Sequence, residues 1–122
     1  MVNMKNIVLI WLDDLRNPLD FVNPSMYNMC DVIWVKNYNE FALTYDKYKN
    51  EYNIYMSLDH DLGEEKDGYD CLKYVGEDCM NNGKKLPYIE IHSSNPVGRK
   101  NMESYIKSYN KVMDLRRKIK GI

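Results

Sequence analysis

Three clusters of side chains suited to moving protons or holding charged ligands punctuate the chain: Asp13-Asp14, Asp59-His60-Asp61 and His92-Ser93-Ser94-Asn95. Carboxylates gathered in one pocket repel one another, which raises their pKa values or demands a cation. Mg²⁺ or Mn²⁺ meets that demand with carboxylate oxygens, waters and a phosphate oxygen. Asp13, Asp14 and Asp61 are the expected ligands, and Asp59 either joins them or serves as a catalytic carboxylate. Taken singly, each aspartate also suits a helix cap or a loop turn. His60 and His92 are the only histidines of the chain. An ordinary imidazole pKa of about 6.5 lets one accept a proton while the other donates one. Ser93 completes the expected catalytic group. Ser94, Asn95 and the guanidinium groups of Arg16 and Arg99 are the expected phosphate ligands, with a loop-tethering ion pair as the other use of Arg16 and an ion pair to the aspartates as that of Arg99.

Four apolar runs are placed to present these clusters. Ile7–Leu12, Asp31–Val35, Ile54–Leu58 and Tyr88–Ile91 are rich in β-branched and aromatic residues, and three of them lead directly into a cluster. Such continuous runs suit strands buried on both faces, as in a parallel sheet clad with helices. Between them, Phe41, Tyr45, Tyr48 and Tyr52 mark a helix from about Asn39 to Glu51. Tyr69, Leu72, Val75 and Cys79 mark a second behind an Asp67-Gly68 start, and Met102, Tyr105, Tyr109 and Val112 a third that continues weakly to Ile119. Asn95 is a fitting cap for the last helix and Pro96 fits its first position. The stretch from Arg16 to Met29 shows neither period and reads as a loop with one short helical turn. The order implies a mainly parallel, roughly four-stranded α/β sheet, and ligands of such sheets bind outside the carboxyl ends of the strands.

Length and composition restrict the alternatives. At 122 residues, 1–122 reads as one domain. No apolar run approaches the roughly 20 residues of a membrane span, which points to a cytoplasmic protein away from membranes. Three cysteines without a Cys-x-x-Cys pair argue against a disulfide framework or a cysteine zinc site. A formal net charge of −1 gives no strong signal for DNA. That figure conceals segregation. From Asp59 to Asp78 eight acids face two lysines, whereas from Arg99 to Ile122 eight Lys and Arg face only Glu103 and Asp114. The basic segment suits contact with RNA or an acidic neighbour, or a plain solvated helix face.

Taken together, the motifs resemble the cyclic-phosphate-processing receiver-like domains. The resemblance rests on Leu12-Asp13-Asp14-Leu15-Arg16-Asn17-Pro18, Trp34, Ser57-Leu58-Asp59-His60-Asp61-Leu62-Gly63, Asp67-Gly68-Tyr69-Asp70, and His92-Ser93-Ser94-Asn95-Pro96-Val97-Gly98-Arg99 with Asn101-Met102. It spans nearly the whole chain. It implies a receiver-like (flavodoxin-like) three-layer α/β sandwich without the fifth receiver strand. By position, Asp13 and Asp14 resemble the receiver's cation-holding pair, Asp59 its phosphoacceptor, and Ser93 or Ser94 its strand-end hydroxyl. His60, Asp61 and His92 depart from ordinary receivers, and no strand ending in lysine is visible.

The leading expectation is therefore a phosphoesterase that hydrolyses a cyclic phosphate on a nucleotide or RNA terminus, with a divalent cation as cofactor. A binding module without catalysis and, less favoured, a phosphoswitch at Asp59 are the alternatives. A serine hydrolase built on Ser93 lacks the Gly-x-Ser-x-Gly elbow.

Overall fold

A computed structural model describes residues 6–121. Strands β1 (Ile7–Leu12), β2 (Asp31–Val35), β3 (Asn53–Leu58) and β4 (Tyr88–Ile91) form one sheet in the order β2-β1-β3-β4, every pair parallel. Strand limits follow the apolar runs to within a residue. After β2 comes helix α2 (Tyr38–Tyr48), after β3 helix α3 (Gly68–Asn81), and after β4 helix α4 (Pro96–Ile119). Each begins at a side-chain cap. Asn37 accepts from the Glu40 amide, Asp67 and Asp70 form a reciprocal capping box, and Asn95 accepts from the Gly98 amide ahead of Pro96. The tyrosine stripe outlasts its helix: α2 ends at Tyr48, and Tyr52 lies just before β3.

Period-two alternation gives the sheet two very different faces. Val8, Ile10, Leu12, Ile54, Met56, Leu58 and Ile91 point to one face, where α2, α3 and α4 close a single core through Phe41, Tyr45, Cys71, Leu72, Val75, Cys79, Met102 and Tyr109. Burial of a side chain such as the fully enclosed Phe41 contributes about 2–3 kcal/mol.

The opposite face carries Leu9, Trp11, Ser57 and Tyr55. Its cover is thin, a segment holding only a 3₁₀ turn (Pro18–Asp20) and the one-turn helix α1 (Met26–Met29). This segment protects Trp11, whose indole N–H donates to the Arg16 carbonyl at 2.8 Å and whose ring stacks on Phe21. Over β3 and β4 the face stays open, and Tyr55 and Tyr88 are exposed there. Among the described residues the sheet has four strands, so β4 is an edge, and no helix is long and apolar enough to cross a membrane.

Candidate functional site

The parallel ladder runs one residue beyond its strands and sets three of the expected residues in a row. Asp13 N–H donates to the Val35 carbonyl, Asp59 N–H to that of Leu12 and His92 N–H to that of Leu58, each at 3.0 Å. Asp13, Asp59 and His92 follow Trp11, Ser57 and Glu90 by two residues, so they continue the thinly covered face at its carboxyl rim.

Asp13 organises this rim. It is almost wholly buried, and one carboxylate oxygen accepts from the amides of Leu15 (2.9 Å) and Arg16 (2.8 Å), turning the chain out of β1. Its other oxygen accepts a hydrogen bond from His92 Nε2 at 3.0 Å. A carboxylate only accepts, so the neutral ring carries its proton on Nε2 and Nδ1 accepts from the Ser57 hydroxyl at 2.7 Å. The ring lies flat on Trp11, centroids 4.0 Å apart. Burial pushes the His92 pKa down, outweighing the bond to Asp13. Both ring nitrogens are thus engaged by the protein. The ring expected to share proton transfer with His60 is thus held between Ser57 and Asp13.

Asp59, also buried, has its pKa pushed up by burial and then by the charge of Asp13, against hydrogen bonds from the His60 amide and Ser93. Asp13, Asp14 and Asp59 bring one oxygen each to within 4.8 Å of one another. An all-oxygen donor set of this kind matches the preference of hard cations such as Mg²⁺ or Mn²⁺. Gly63 makes room for Asp14. Its φ of +68° is open to glycine, and a Cβ there would lie 3.3 Å from the Asp14 carboxylate. Asp61, the other expected ligand, stands outside this group. It is exposed, and hydrogen bonds from His60 (2.8 Å) and then Asn95 hold its pKa below the ordinary aspartate value. Asn95 is accordingly a helix cap and a partner of Asp61.

His60 occupies the α3–α4 side of the rim. Its Nδ1 bonds Asp61, its Nε2 lies 3.4 Å from Asp67, and its ring packs on the backbone of Gly98, where any Cβ would collide with it. Arg16 occupies the other side. Its guanidinium donates to the His92 carbonyl at 3.1 Å, reaches the Ser94 hydroxyl at 3.4 Å and lies 3.7 Å from Asp13, which leaves it part-exposed and aimed along the rim. Arg99 makes no ion pair with the rim aspartates among the described residues. It pairs with Glu103 at 3.6 Å in a hollow along the outer edge of β4. Ser93 is buried beside Asp59 and accepts from the Asn95 amide at 3.1 Å, whereas Ser94 is exposed. Ser57 was no candidate from sequence. It is a hydroxyl in an otherwise apolar run, two residues before Asp59 and so on the same face, and that spacing was the available signal.

Comparison with known families matches residues 8–108 to the cyclic-phosphate processing receiver domain, a span that contains every side chain just described. Neither the curated proteins nor the solved structures gave a match.

Proposed function

The chain belongs to the cyclic-phosphate processing receiver family, and on that premise we propose that its rim hydrolyses a cyclic phosphate carried by a nucleotide or an RNA end. The observation that carries this reading is the meeting of a tethered, part-exposed guanidinium with mutually repelling buried carboxylates. Arg16 and the Ser94 hydroxyl hold the phosphate, since a planar guanidinium matches two phosphate oxygens at once. From the α3–α4 side His60 takes a proton from the attacking water. The bond from phosphorus to one ribose oxygen breaks, and that oxygen takes a proton from solvent on the open face. The carboxylates of Asp61 and Asp67 stabilise the imidazolium so formed. Asp13, Asp14 and Asp59 would hold a divalent cation, which supplies positive charge to the phosphoryl oxygens when bound. His92, held by Ser57 and Trp11, fixes the direction of Asp13.

Phosphorus NMR of 2′,3′- and 3′,5′-cyclic nucleotides, with and without Mg²⁺ or Mn²⁺, tests the reading. Conversion to a monoester is expected with the wild type. It should be lost in His60→Ala and reduced on the order of 100-fold in Arg16→Ala, while Arg99→Ala stays within about twofold. Tight binding of every compound without product would replace hydrolysis by a binding module, and unaltered turnover in His60→Ala would remove the proton-transfer role.

A further inference from the structure

The thin cover opposite the helical core contains an aromatic side chain that the rim chemistry does not use. Phe21 is 59% exposed. The turn that bears it is closely tied. Asn17 caps the 3₁₀ turn by accepting from the Leu19 amide at 2.9 Å, the amides of Phe21 and Val22 donate to the Pro18 carbonyl at 3.1 and 2.8 Å, and the Trp11 indole holds the Arg16 carbonyl. Phe21 lies nearly parallel to Trp11, with 16° between the planes and 6.0 Å between centroids, and Trp11 lies nearly parallel to His92. Trp11 thus lies nearly parallel both to a ring at the rim, His92, and to a ring open to solvent, Phe21.

The second observation links that outer ring to the phosphate grip. The Arg16 guanidinium carbon is 6.0 Å from the Phe21 centroid, while its nitrogens reach the Ser94 hydroxyl and the His92 carbonyl. One side chain thus touches both the expected phosphate position and an exposed aromatic surface. In a nucleoside 2′,3′-cyclic phosphate the phosphate and the base are separated by a single ribose, a span of the same order. Leu15 and Leu19, on the same segment, are exposed as well. A flat aromatic of this kind stacks well on any nucleobase, because every base presents a π-face.

We propose that Phe21 is the floor of a nucleobase subsite, so that the rim selects cyclic phosphates attached to a nucleoside over those without a base. The inference rests on the reading of the rim as a cyclic-phosphate site, and it names the part of the substrate that lies outside the chemistry. The terminal base is the one engaged, whether it belongs to a free mononucleotide or to an RNA end.

The test is a binding titration with Mg²⁺ present, followed through the ring-proton signals of Phe21 and Trp11. The ligands are adenosine 2′,3′-cyclic phosphate, a trinucleotide ending in the same group, and the base-free methyl riboside 2′,3′-cyclic phosphate. Wild type is expected to bind both base-bearing ligands roughly tenfold more tightly than the base-free one, with ring-current shifts at Phe21. Phe21→Ala should erase the preference while melting close to wild type, and Phe21→Trp should restore it. A trinucleotide bound much more tightly than the mononucleotide with no dependence on Phe21 would place RNA contacts elsewhere and overturn the subsite. Equal binding with and without a base, a preference that survives Phe21→Ala, or no binding of any ligand would overturn it too. Phe21-dependent binding without turnover would leave the subsite standing and remove only hydrolysis.

Discussion

Two carboxylate centres lie at opposite ends of the sheet. At the amino ends of β3 and β4, under a hollow of about 650 Å³, Asp78 receives hydrogen bonds from the Tyr45 hydroxyl at 2.8 Å and Lys49 at 3.2 Å. Burial pushes its pKa up, but the bonds from Tyr45 and Lys49 and the charges of Lys49 and Lys84 more than offset this, so it lies below the ordinary aspartate value. At the carboxyl rim Asp59 is buried beside another buried aspartate, and its pKa moves the other way. The same side chain is satisfied at the base and left short of positive charge at the rim. A neutralised network contributes stability and carries no unmet negative charge. A repelling pair costs stability, which a cation or a phosphate-bearing substrate with its cation can recover.

Substitutions at the two ends should separate these roles. Asp13→Ala is expected to be the most damaging, because it leaves the His92 imidazole and the Leu15 and Arg16 amides without their acceptor. Urea unfolding should show a loss of about 3 kcal/mol or more. Tyr45→Phe removes the hydroxyl donor to Asp78 at the base and should cost about 2 kcal/mol, with turnover of a cyclic nucleotide unchanged. Asp59→Asn should act with the opposite sign, raising stability by about 1 kcal/mol while abolishing turnover, since it removes the repulsion from Asp13 together with a proposed cation ligand. If Asp59→Asn destabilised the protein as Tyr45→Phe does, the two centres would be alike and the contrast would fail.

The smallest expected effect is a pH slope. Burial lowers the folded-state pKa of His92 below its unfolded value of about 6.5, so the unfolded chain binds the proton first. The stability from keeping His92 neutral is therefore complete above that value and declines as pH falls from about 6.5 toward the folded pKa. Asp59, with its raised pKa, contributes in the reverse sense at lower pH, where the folded state is the first to take a proton. Melting temperatures between pH 7 and 5.5 should fall in the wild type and lose that component in His92→Gln.

The sequence made the scaffold legible because its signals are local. Apolar runs gave β1 to β4 nearly to the residue, and Asp67, Asn95 and Pro96 marked where α3 and α4 begin. The row of Asp13, Asp59 and His92 was equally accessible, since a parallel sheet must bring such strand ends together. Beyond the strand ends legibility faded. Alternation fixes where a strand residue points, but Asp61 is in a loop, and its turn toward His60 and Asn95 is not written in spacing; Arg99 and Glu103, four residues apart on α4, do pair as helix geometry allows. The double engagement of His92 depended on Ser57 and on Trp11 as a stacking surface, contacts made across three strands. Phe21 carried no signal at all, because its exposure follows from how short the cover over β1 is.

The contrast between the two ends can be measured directly by following the side-chain carboxyl carbons of Asp59 and Asp78 through a pH titration by NMR, with and without Mg²⁺. Asp59 should titrate above the ordinary aspartate value and Asp78 below it, and Mg²⁺ should move the Asp59 signal while leaving Asp78 where it was. Asp59 titrating at or below the ordinary value, or Mg²⁺ displacing both signals alike, would contradict the assignment of the chemistry to the rim.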